Sequence, residues 1–176
     1  MSFLILFGLT IGVAIPLLVH THLEAARMVR LDWDELLTRL KPVPFSGVSA
    51  IAMDYLHPKK GQTQLETDEL WTLIGGYDGI RRMYENSRIL LALAAYTQRW
   101  NPGESVIVVE RMRRDGVLLR QASRRLFLRY VLGYDHIGGP FSVQEATSAY
   151  YLMRERLLAL YETSHAGRYA RLAEAL

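Results

Sequence analysis

The chain has 176 residues, 21 Lys+Arg against 18 Asp+Glu, a formal charge of +3 and hydrophobic side chains at half of its positions. That size and composition suit one packed domain plus an extra segment, and so mild a charge does not argue for nucleic acid. Cysteine is absent, which excludes disulfides, thiolate metal sites and cysteine catalysis. Lys41, Lys59 and Lys60 are the only lysines, and the other 18 basic residues are arginine. Arginine suits bidentate contacts with carboxylates and phosphates; a GC-rich bacterial genome writes the same bias.

The chain opens with FLILFGLTIGVAIPLLV, Phe3–Val19, a run without a charged side chain. A membrane-spanning helix needs roughly 17–25 apolar residues, and this run just meets that length. A secretory signal has a basic start and a small-residue cleavage site. Neither is present around Met1–Ser2 or after Val19. The run therefore reads as a retained single-pass anchor. Arg27, Arg30, Arg39 and Lys41 follow it and no basic side chain precedes it, so the positive-inside rule predicts an outer N-terminus and a cytoplasmic C-terminal domain, in an inner-membrane protein. Gly8 and Gly12 form G-x-x-x-G, the spacing that lets two helix backbones approach closely in lipid. His20, His22, Arg27, Arg30 and Trp33 fall at the predicted membrane boundary. His20 and His22 point to opposite sides of a helix and do not chelate one metal. Trp33 fits either the interfacial aromatic belt or the core.

Three segments are expected: an anchor over 1–23, a juxtamembrane helix and proline-rich turn over 24–46, and a helical domain over 47–176. Asp32 and Glu35 have capping-box spacing, and Trp33, Leu36, Leu37 and Leu40 share the face that follows. Pro42 and Pro44 break the helix. A short apolar segment, Val48–Leu56, comes next, then the polar loop 57–64. Thr63 and Glu66 predict the start of a helix that runs to Ile74 and is interrupted by Gly75 and Gly76. From Tyr77 to Trp100, Ile80, Met83, Tyr84, Ser87, Leu90, Leu91 and Ala94 recur at helical steps. Asn101 and Pro102 predict a new helix to about Leu132, VIVVE at 106–110 being overruled by its helical flanks. After the glycine-rich loop 133–141, Ser142 and Glu145 predict the last long helix, through Ser164, with a short helix over 168–176. The fold class expected is all-α: one N-terminal transmembrane helix, then a small cytoplasmic helical bundle.

The strongest local feature is Glu110–Tyr130, which holds Arg111, Arg113, Arg114, Arg120, Arg124, Arg125 and Arg129 against only Glu110 and Asp115. Met112, Leu119, Ala122, Leu126 and Tyr130 line one side at helical spacing. The arginines are either a solvated face laced with ion pairs or a basic surface for an anion. Anionic lipid headgroups and an acidic patch on a partner subunit are the nearest candidates. Nucleic acid ranks third, because there is neither a trusted helix-turn-helix spacing nor an aromatic platform.

No motif carries catalysis. GGYDG at 75–79 lacks the lysine and Ser/Thr of a P-loop, no G-x-S-x-G elbow occurs, and His57, His136 and His165 belong to no metal pattern. No cofactor, metal or small-molecule substrate is inferred. The function expected is that of an accessory or structural subunit of a larger, energy-transducing membrane complex, not an enzyme, with other membrane subunits and anionic lipids as partners. A membrane-tethered regulator whose arginine helix binds nucleic acid or a signalling partner is the alternative.

Overall fold

The computed structural model describes residues 31–58, 65–98, 102–132, 139–164 and 166–176. The anchor expected at Phe3–Val19, with Gly8, Gly12, His20, His22, Arg27 and Arg30, lies outside the described residues, as do Thr63, Asn101, His136 and His165. Among the described residues every regular element is a helix: α1 Trp33–Thr38, α2 Phe45–Leu56, α3 Thr67–Ile74, α4 Gly76–Thr97, α5 Pro102–Val131, α6 Gly139–Ser164 and α7 Ala166–Ala175. No helix among them is long and apolar enough to cross a membrane.

Helix α6 is the axis of the bundle, packing against α2, α3, α4, α5 and α7. It buries Val143, Ala146, Tyr150, Met153, Leu157, Leu160 and Tyr161. These positions cover far more than one stripe, as a helix surrounded by others requires. Helix α4 turns Ile80, Met83, Ser87, Leu90 and Ala94 inward, while Tyr84 and Leu91 are half-buried. On α5, Met112, Leu119, Ala122 and Leu126 are buried but Tyr130 is 55% exposed, because the core ends before the last turn of that helix does.

Two of the predicted caps are absent. Asp32 occupies the N-cap position of α1 in extended backbone, yet its side chain does not cap the helix; the cap expected at Thr63 lies outside the described residues, and Glu66, expected as its partner, directly precedes α3. Glu35 instead pairs with Arg39 at 2.8 Å. Helix α6 starts at Gly139, three residues before the expected Ser142, so Ser142 is buried inside the helix and Glu145 pairs across to Arg125 at 2.6 Å. Pro140 tolerates this early start because the first turn of a helix needs no amide donor there.

Glycine permits a tight turn and a close helix contact. Gly75 and Gly76 adopt φ of 75° and 68°, the left-handed region that side chains resist, and so reverse the chain between α3 and α4 with no intervening loop. Gly47 lets α2 lie directly on α3: a Cβ there would stand 2.0 Å from the carbonyl oxygen of Leu73. Gly47→Ala must push the two helices apart, at a cost of about 2 kcal/mol or more. Thermal unfolding should show a fall of about 4–8 °C. Gly103→Ala is the control, since a Cβ there meets nothing within 4 Å; equal effects at both positions would refute the close-approach argument.

The proline turn before α2 is held by a buried amide. Asn86 on α4 accepts from the Lys41 backbone N–H at 2.9 Å and donates to the Lys41 carbonyl at 2.8 Å. Its amide also donates to the Tyr150 hydroxyl at 3.2 Å. This single side chain satisfies both backbone groups of a residue that the prolines keep out of any helix.

Candidate functional site

Trp33 lies in the core, 1% exposed. Its indole N–H donates to the Tyr161 hydroxyl at 2.9 Å, and that hydroxyl donates to the Leu93 carbonyl at 3.0 Å. Burial holds the Tyr161 hydroxyl above its ordinary pKa, so it stays a donor. Arg168 and Arg171 of α7 lie over the Trp33 ring at 5.2 and 5.0 Å. Helix α1 thus docks beside the C-terminal end of α6. The opposite end of α6 carries Phe141, which meets Tyr55 of α2 at 6.1 Å, about 30 Å away along the helix.

The seven arginines of α5 do not form one strip. Two pair with a carboxylate: Arg113 with Glu110 at 3.4 Å and Arg125 with Glu145 at 2.6 Å. Arg120 donates back to the Gly116 carbonyl of its own helix at 3.4 Å. Arg129 has a buried guanidinium nitrogen with no hydrogen-bond partner among the described residues. Arg111, Arg114 and Arg124 are exposed, and none has an acidic partner among the described residues. The reading of a face neutralised by its own ion pairs therefore holds for only part of this helix. By contrast, Arg81 and Arg82 on α4 share Asp78, each at 2.9 Å, and they hold that carboxyl below its usual range.

Sequence reasoning missed what stands between the arginines. Val106, Ile107, Val117, Leu118, Phe127, Leu128, Val131 and Leu132 are all 43–65% exposed. Ile107, Arg111, Arg114, Leu118, Arg125, Leu128 and Leu132 recur at alternating steps of three and four or their sums, so they line one outward stripe. The signal was available: α5 has more apolar positions than its single buried face can use. A surface that exposes large aliphatic side chains at heptad spacing is incomplete as a solvated face.

No family model, curated protein or solved structure matches the chain. Function has to be read from the surface itself.

A second feature lies between α4 and α5. A cleft of about 600 Å³ opens between them, with buried Ile80 among its lining residues and Tyr77, Tyr84, Phe127, Leu128 and Tyr130 around it. One end is closed by rings: Trp71 meets Tyr77 at 4.6 Å, and Tyr77 meets Tyr130 at 4.5 Å. Among the described residues no group of three or more His, Asp or Glu side chains is placed to hold a metal ion.

Proposed function

We propose that this protein is an accessory subunit, tethered to the inner membrane by its N-terminal apolar segment, whose cytoplasmic helical domain docks on another subunit through the outward face of α5. The observation that carries this reading is the heptad-spaced outer stripe, in which Ile107 is 60% and Leu118 43% exposed beside Arg111 and Arg114, which have no acidic partner among the described residues. The complementary surface is a helix with apolar residues at matching spacing and acidic residues beside them. Its burial would remove the exposed aliphatics from water at roughly 25 cal/mol per Å² and give the arginines bidentate carboxylate partners. A nucleic-acid surface gains nothing from aliphatic side chains between its cations, so the regulator that binds nucleic acid fits this face less well.

The test is mild-detergent extraction of native membranes followed by size separation. The chain should co-migrate with a large complex at fixed stoichiometry. Ile107→Glu combined with Leu118→Glu should abolish co-migration while the protein stays in the membrane fraction and keeps its helical content. Migration of the unmodified chain alone would overturn the subunit reading. Loss of membrane retention in the variant would assign the face to lipid instead.

A further inference from the structure

From the cleft between α4 and α5 we infer a binding site for a single-chain amphipathic carboxylate, a medium- to long-chain fatty acid, held with its head at Arg124 and its tail towards Tyr77 and Tyr130. Its volume, about 600 Å³, falls within the range of small-ligand pockets, roughly 300–1,000 Å³. The lining is almost entirely apolar, with its polar groups segregated by end. Tyr84 of α4 and Ser123 and Arg124 of α5 mark one end, and Tyr77 and Tyr130 the other; two helical turns, about 10 Å, separate them on each helix.

One feature marks the head end: Arg124 lies in the lining, is exposed and has no acidic partner among the described residues. The acid in the lining, Asp78, lies at the other end and is already neutralised by Arg81 and Arg82. A ligand carboxylate is therefore drawn to Arg124, and an alkyl chain fills the space between Ile80, Phe127 and Leu128. A second copy of this chain is a poorer occupant, because two-fold pairing on this face brings Arg124 and Arg125 towards their own copies.

The experiment uses the full chain in phosphatidylcholine nanodiscs. Trp71 reports on the tail end through its contact with Tyr77. Dodecanoate brominated at its terminal carbon should quench Trp71 saturably, and dodecanoate brominated beside the carboxyl should quench it less. Trp71→Phe identifies the quenched signal. Arg124→Gln should weaken binding about tenfold, as loss of a charge-assisted hydrogen bond does. Unbrominated dodecanoate should compete, with dodecanol about tenfold weaker. Quenching that never saturates, or that Arg124→Gln leaves unchanged, overturns the site. Dodecanol competing as well as dodecanoate overturns the carboxylate. If Arg124→Gln spares dodecanoate binding but abolishes co-migration with a membrane complex, the cleft is a protein groove and the inference falls. The site does not depend on the docking reading, which is tested at Ile107 and Leu118.

Discussion

Trp33→Ala is expected to lower the unfolding free energy by about 3–5 kcal/mol, the range for truncating a buried large aromatic. That corresponds to a fall of about 10 °C in Tm. Three losses combine. The indole is 1% exposed, so its removal leaves a cavity among Tyr161, Leu36 and the α7 side chains. Its N–H is half of a relay to Tyr161 and Leu93, whose hydroxyl then loses a donor. Arg168 and Arg171 lose the ring they cover, worth about 0.5–1 kcal/mol at an exposed edge. Trp33→Phe keeps most of the area and removes only the donor, so it should cost about 1 kcal/mol. Tyr161→Phe should cost more than Trp33→Phe, because it leaves two groups unsatisfied, the indole N–H and the Leu93 carbonyl. Denaturant unfolding of the three variants checks the order; a Trp33→Ala loss below 1 kcal/mol would mean that α1 is not part of the cooperative fold.

The position of Trp33 shows where sequence reasoning stops. Its chemistry allows a wet interface or a dry core, and nothing within its own helix decides between them. The deciding partner, Tyr161, is 128 residues away. The helices themselves were legible because periodicity is local: the inward positions of α4 and most of those of α5 follow from spacing alone. Caps were less so, although they are local too. Glu35 and Glu145 have capping-box spacing, but each finds an arginine instead, Arg39 in the first case and Arg125 of another helix in the second. A carboxylate offered a guanidinium gains more than one offered a single amide. The same logic applies to the candidate site. Its arginines could be counted from the sequence, whereas the cleft required knowing which residues of α4 and α5 line it together.

Asp115 illustrates the point and carries the second large effect. In the sequence it is one of two acids set against seven arginines between Glu110 and Tyr130. In the fold it is 7% exposed, on the core side of α5 between Met112 and Leu119, and it pairs with Arg156 of α6. Burial, and secondly the charge of Arg111, push Arg156 below the usual arginine range. The guanidinium nevertheless stays charged at any pH the fold meets. Asp115→Leu therefore leaves a partly buried cation facing a like charge, with no carboxylate in reach. Breaking such a pair costs about 3–5 kcal/mol, and the side chain of Arg156 being 30% exposed places the loss at the lower end. Replacing both partners removes the orphan: Asp115→Leu with Arg156→Met should recover most of the loss and come within about 1 kcal/mol of the original chain. The coupling from the double-mutant cycle should exceed about 2 kcal/mol. If the double variant is as unstable as Asp115→Leu alone, the carboxylate is stabilising the fold through some contact other than Arg156. Full recovery would show that the pair adds little net stability to the packing of α5 on α6.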